Sequence, residues 1–478
     1  MKCTFCATIL LFVALATAQQ YDHVTITTGP FVSSFAPLGQ FLETELGLND
    51  TAVTVEDIYG HYPGRDNPEQ IRNFIRYAYQ NWGTTHVLLG GDAEFVPCRQ
   101  VWARCWWGSI TLLMPSDLYY SDLDGDWNAD GDTIFGEAAD SVDLYPDVFV
   151  GRLPASGTAG ADQMVAKFRT YCSDSTAPYL ANVLLTGFDI DDSTFGYSTS
   201  EFYDATLIPP ALRPCTKVYE YSSGNHKAAI QNALNAGPHL FVHMEHCDAS
   251  RIGAGWLRHG LTISRDELRT LTNGNNYTIM LLSFGCFTGC FDTTDCVIEY
   301  ALDAPNGGAV AGLANARYGL YGRDAGQNPQ RTLSALQGER FLQFIFSGGP
   351  ATLEQFAQTQ ASLVPLADTS EPDRWCMYNL NLFGEPCMPI WLPVLTGVAD
   401  PPGGVGMTRS AVLPSHVSGS LVLAGRVTLT MTDILGRTVM HLQPGTNNLS
   451  RVPPGVYFLR TTDRSFRLVG RIVKINEE

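Results

Sequence analysis

Residues 277–286, YTIMLLSFGC, decide how this chain is read. The run is apolar without helical periodicity and too short for a helix, so it predicts a strand buried on both faces, as in a parallel sheet. Its end places Cys286 at a strand terminus, facing the crevice where ligands bind in open α/β sheets. Within LLSFGCFTGCFDTTDCVIEY (281–300), Cys290 and Cys296 follow closely. Three chemistries are open to such a cluster: a disulfide staple, a metal cage, or one nucleophile with two bystanders.

Upstream, residues 22–95 alternate strand-like and helix-like patterns: DHVTITT, FAPLGQFLETELG, AVTVEDIY, PEQIRNFIRYAYQNWG and THVLLGGD. Ile71, Phe74, Ile75 and Ala78 recur at helical spacing, which puts them on one face. After an acidic insertion the alternation resumes with DVFVGRLP, ADQMVAKFRTYC, ANVLLTGF, KAAIQNALNAG, HLFVHME and YTIMLLSF, and GGAVAGLAN adds a strand. The order predicts an α/β protein with two α/β halves side by side and mainly parallel sheets. From LPVLTGVADPPGGVGM onward Pro and Gly accumulate, and the segments GSLVLAG, RVTLTMTD, RTVMHL, GVYFLRTT and FRLVGRIVKI predict a small all-β sandwich. The expected boundaries are a signal peptide at 1–18, an N-terminal α/β subdomain at 19–178, a catalytic subdomain at 179–395, a linker at 396–407 and the sandwich at 408–478.

The leader reading rests on Lys2, the apolar run ILLFVALA and the small residues Ala16-Thr17-Ala18 before QQYDH. No later stretch reaches the roughly 18 apolar residues of a membrane helix. The expected product is secreted or surface-attached. Of twelve cysteines, Cys3 and Cys6 fall in the leader, and an exported chain is free to pair the other ten. At 478 residues and 45% hydrophobic content the chain supports a large core. A formal charge of −18 argues against nucleic acid and anionic membranes as partners and favours bound cations.

The nucleophile reading names a partner in HLFVHMEHCDAS. His246 follows the preceding strand and would share a sheet edge with Cys286, where an imidazole can take the thiol proton. Asp189, the first carboxylate after ANVLLTGF, is the candidate that orients the imidazole. In the insertion SDLDGDWNADGDTIFGE, Asp122, Asp124, Asp126, Asn128, Asp130 and Asp132 alternate with Gly at the turns, an oxygen-rich pattern suited to Ca²⁺. Thr133 stands where an EF-hand loop has its bidentate Glu. A zinc cage from Cys286, Cys290, His243, His246 and Cys247 is the rival reading of the cluster.

The segments TTHVLLGGDAEFVP, YPDVFVGRLPA, HMEHCDA and LLSFGCFTGCFDTTDCVIEYAL with NGGAVAGLANARYGLY resemble the gingipain-type cysteine peptidases, family C25, over about residues 22–390. The resemblance implies a caspase-like fold, polypeptide substrates, bound calcium, a dyad of His246 and Cys286, and an acid at Asp189. It also implies an oxyanion hole from the backbone N–H groups of Cys286 and Cys247. The family's Gly-His-Gly is Glu245-His246-Cys247 here, which leaves a catalytically inactive, adhesin-like relative as an alternative alongside the zinc-dependent hydrolase. The tail, with DILGR and PPGVYFLR, resembles sorting domains of the type IX export system and implies export machinery as a partner.

Overall fold

The computed structural model describes residues 20–105, 110–322, 333–347, 351–392 and parts of 416–474. The expected leader and linker lie outside the described residues. A ten-stranded sheet is built from β1 (His23–Thr27), β2 (Asp50–Thr54), β3 (His86–Gly90), β4 (Phe149–Leu153), β5 (Val183–Gly187), β6 (Thr216–Tyr219), β7 (Leu240–Met244), β8 (Thr278–Leu282), β9 (Ala309–Asn315) and β10 (Leu380–Phe383). Its spatial order is β2-β1-β3-β4-β10-β9-β8-β7-β5-β6. Every residue of β1, β3, β4, β5, β7, β8 and β9 is buried. That burial on both faces is why these strands read as continuous apolar runs.

The two expected halves are one continuous sheet. All pairings are parallel except β9 with β10, and β10 joins the halves through Phe383 opposite Arg152 of β4. The segment AVTVEDIY was expected to be a strand throughout, but only its first half is. The Thr54 hydroxyl accepts the Asp57 N–H at 3.1 Å, and this cap starts a helix over Val55–His61. A hairpin of Arg99–Cys105 and Ile110–Ser116 was also not anticipated.

The Asn67–Trp82 helix buries Ile71, Phe74, Ile75 and Ala78, begins at an Asp66 cap and ends at Gly83 with φ +78°. The Gly-Arg-Leu-Pro motif closes β4 for an electrostatic reason. Arg152 is fully buried, donates from Nε and Nη2 to Asp117 at 2.7 and 2.8 Å, and donates from Nη1 to the Gly91 and Val96 carbonyls. One guanidinium thus ties the ends of β3 and β4 to the Asp117 turn.

Downstream, strands fall in a five-stranded sheet and a two-stranded one: His416–Val417, Ser420–Leu423, Leu429–Asp433, Thr438–Leu442, Gly445–Asn448, Gly455–Thr461 and Leu468–Lys474. Leu421, Leu429, Met431, Leu442, Leu449, Tyr457 and Leu459 form their common core. Among the described residues, no helix is long and apolar enough to cross a membrane.

Candidate active site at the carboxyl edge of the sheet

Strands β8, β7 and β5 are neighbours, so their carboxyl ends bring together Cys286, His246 and the segment 188–190. His246 is half-buried, and its Nε2–H donates to the Ile190 carbonyl at 2.7 Å. In the neutral imidazole that bond places the hydrogen on Nε2 and leaves the Nδ1 lone pair for the thiol proton. Asp189 does not do this work. Its carboxylate accepts from Arg258 Nε at 3.0 Å, and a backbone carbonyl one residue on orients the imidazole instead.

Cys286 is half-buried and points its thiol at the Gly319 carbonyl, a long contact of 3.9 Å. Burial pushes the thiol up to about 11, with Asp248 adding in the same direction. Among the described residues, no hydrogen bond joins His246 to Cys286. In the absence of substrate such contacts are often long and tighten only around the reacting group. The Cys286 N–H donates to no acceptor among the described residues, which leaves it available to an oxyanion.

The turn carrying the nucleophile is braced from behind. Phe287 has φ +55°, unusual for a residue with a Cβ, and its N–H donates to the Arg317 carbonyl at 2.8 Å. Arg317 in turn holds Asp292 with both terminal nitrogens, at 2.8 and 2.6 Å, and Gln100 donates to the same carboxylate. Asn315 Nδ2 donates to the Ser283 and Gly285 carbonyls. These contacts explain the NARYGLY stretch: it supports the Cys286 turn. Sequence reasoning missed Ile190 and Gly319 because a backbone carbonyl carries no residue-type signal.

The Glu245-His246-Cys247 departure is accommodated without left-handed backbone. Cys247 lies in the short strand Cys247–Asp248, paired with Ile252, and is absent from the positive-φ positions. Its sulfur packs on the residue before the nucleophile, where a Cβ at Gly285 would lie 2.6 Å from Cys247 Sγ. Glu245 is fully buried and accepts the N–H groups of Gly255 at 3.1 Å and Trp256 at 2.5 Å. Burial, with Glu220 and Asp189 adding, pushes its carboxyl up to about 8.

The rival zinc cage is not assembled among the described residues. His243 is buried inside β7 with Nδ1 on the Thr186 hydroxyl at 2.7 Å, and burial depresses it to about 3. The metal-capable clusters among the described residues consist of carboxylates. The acidic insertion forms no single cage either. Asp122, Asp124 and Asp147 make one group and Asp130, Asp132 and Glu137 another, with Asp126 in neither, while Asn128 lies against the second, its Nδ2 donating to the Asp132 carbonyl at 2.8 Å. Buried Trp127 and the bridge of Asp126 to Ser141 fold the loop between the two groups. Asp122 is occupied by the N–H groups of Gly125 and Leu144, with Arg72 at 3.6 Å.

A thiol and an imidazole at the ends of adjacent parallel strands, in a sheet of this order, define a cysteine-type peptidase of caspase-like fold. Residues 16–391 match peptidase family C25, and the chain belongs to that family. The fold is similar to the complex of Porphyromonas gingivalis RgpB pro- and mature domains, at 15% identity and a TM-score of 0.58, covering 95% of this chain and 100% of that one. It is equally similar to the Arg-specific cysteine proteinase gingipain R, at 16% identity and 0.58, covering 96% and 98%. An uncharacterised protein of Archaeoglobus fulgidus is 23% identical over 186 residues, which span 35% of this chain and 39% of that protein.

Proposed function

We propose that the chain is a secreted cysteine endopeptidase in which Cys286 attacks the peptide carbonyl. His246 Nδ1 takes the thiol proton as the sulfur adds to the carbonyl carbon, then returns it to the leaving amine, giving an acyl-enzyme that water hydrolyses. The Cys286 N–H, with that of Cys247, receives the oxyanion. The observation that carries this reading is the imidazole held in one tautomer by the Ile190 carbonyl beside the Cys286 strand end. The test is digestion of a complex peptide mixture, with new termini mapped by mass spectrometry against Cys286→Ala. Termini that vanish in the variant support the peptidase, and identical digests from two folded proteins refute it.

The second reading, an inactive adhesin-like relative, draws on the protonated resting thiol and its lack of a hydrogen bond to His246. Identical digests would favour it.

Calcium is proposed at Asp130, Asp132 and Glu137, whose oxygens lie within 4.8 Å of one another. Their donor set suits a hard cation better than the Asp122 group, which already faces Arg72. A melting temperature unchanged between calcium and excess chelator would remove that proposal. Export through the leader and the 408–478 region is proposed from their sequence character. Normal surface delivery of a chain lacking 408–478 would refute the sorting role.

A further inference from the structure

Strands β9, β8, β7 and β5 lie side by side, so the two that carry Cys286 and His246 are flanked by β9 on one side and β5 on the other. Each outer strand ends in a loop whose backbone carbonyl meets one member of the pair: Ile190 accepts from His246 Nε2, and Gly319 faces the Cys286 thiol. The two loops are joined across the inner strands. The Tyr321 hydroxyl donates to Asp191 Oδ2 at 2.7 Å, one residue past Ile190 and two past Gly319.

Both ends of this bond are fixed. Asp191 Oδ1 accepts the Ser193 N–H, the Ser193 hydroxyl and the Thr194 N–H at 2.7, 2.9 and 2.8 Å, and the Ile190 N–H donates to the Thr194 carbonyl, so this loop is a closed turn. Arg258 holds Asp189 and Asp192 of the same loop. At the other end the Tyr321 ring stacks on Phe284, two residues before the nucleophile, with centroids 6.3 Å apart and planes at 24°. Gly319 packs so closely that a Cβ there would collide with the Phe284 carbonyl. A displacement of Tyr321 therefore carries the Cys286 turn with it, and a displacement of Asp191 carries the Ile190 carbonyl.

We infer that the Tyr321–Asp191 hydrogen bond is a strut that sets the separation of the His246 imidazole from the Cys286 thiol, making Tyr321 and Asp191 positioning residues. Its consequence for catalysis rests on the peptidase reading above. Transfer of the thiol proton needs Nδ1 and sulfur within hydrogen-bond reach, and a misplacement of about 1 Å costs roughly 100-fold in rate.

Tyr321→Phe removes the hydroxyl and keeps the ring on Phe284. In steady-state cleavage of a peptide identified from the mixed digest, kcat and kcat/KM should fall together by about 10-fold or more while KM stays nearly constant, because His246 serves both chemical steps. Asp191→Ala should lose at least as much, and adding Tyr321→Phe to it should cost nothing further, since the hydroxyl acts only through Asp191. A hydroxyl that touched substrate would instead raise KM, and one with a general packing role would give losses that add. Either result overturns the strut, as does an unchanged kcat in Tyr321→Phe, and all three leave the peptidase reading standing. A parent chain that cleaves nothing refutes that reading instead, and hydrogen exchange then decides the strut without activity. Peptides covering 188–197 should exchange roughly fivefold faster in Tyr321→Phe, the factor one net hydrogen bond supplies, and equal exchange overturns the inference.

Discussion

The resting state of Cys286 can be tested directly by raising the pH. Burial moves its thiol from 9.0 to about 11. Each unit is a factor of ten, so at neutral pH the folded protein holds about 100-fold less thiolate at this position than the unfolded chain does. Alkylation by iodoacetamide proceeds through the thiolate. The Cys286 alkylation rate, followed by mass spectrometry of its peptide, should therefore climb about tenfold per pH unit from pH 7 through pH 9 without a plateau. His246→Ala should leave this slope unchanged, because no hydrogen bond joins the two side chains in the resting protein. The same rate measured with a bound peptide aldehyde, which competes for the sulfur, reports whether the site has closed on a substrate-like group. A plateau reached below pH 8 and abolished by His246→Ala would refute the reasoning, since it would reveal a preformed thiolate and imidazolium pair.

Replacing Arg152 with Met leaves Asp117 charged and buried and strips the Gly91 and Val96 carbonyls of their donor, so urea unfolding should show a loss of about 3–5 kcal/mol. A loss below about 1 kcal/mol would contradict the buried-pair account. Gly285→Ala should destabilise by about 1–3 kcal/mol because the new Cβ meets the Cys247 sulfur. The same change in a Cys247→Ala background should cost clearly less, with the Thr288 methyl at 3.0 Å and the residue-247 Cβ at 3.1 Å still to yield, and no rescue would show that the sulfur is not the obstacle. Burial disfavours a charged His23, yet Glu385 and Asp50 outweigh it and hold the imidazole up to about 10. A folded-state value above the unfolded one means that its stabilisation is full below about pH 6.5 and is lost as the pH rises through 10. Urea midpoints should fall between pH 7 and pH 10, and Glu385→Gln should flatten that decline.

The sheet was legible because its strands are buried on both faces, so composition alone marked them: every residue of TIMLL in β8 and LFVHM in β7 is in the core. The hairpin of Arg99–Cys105 stayed hidden for the opposite reason. Arg99 is buried there through Asp66 and the rings of Tyr119 and Phe135, so a charged residue stands where the pattern would demand an apolar one. Cys286 and His246 could be placed at one edge because each ends a recognisable strand. Asp189 failed as the orienting group because position along a strand end does not fix which way a side chain turns, and Arg258 offered it a better partner. The spacing of the acidic insertion signals an oxygen-rich loop but not which carboxylates meet: Asp122 and Asp124 gather with Asp147, and Asp130 and Asp132 with Glu137.

β10 is the last of the ten strands in chain order yet sits in the middle of their sheet. Until residues 380–383 are available, β4 and β9 have no common neighbour, and the two groups of strands present facing edges with unpaired backbone groups. Such edges recruit other chains when left open. Asn379 and Asn381 reach across the same junction to the Arg317 and Asp117 N–H groups, so the support behind Cys286 and the turn held by Arg152 are completed by one late segment. However the strands assemble, the sheet cannot close and the nucleophile turn lacks its full bracing until residues 379–383 are in place.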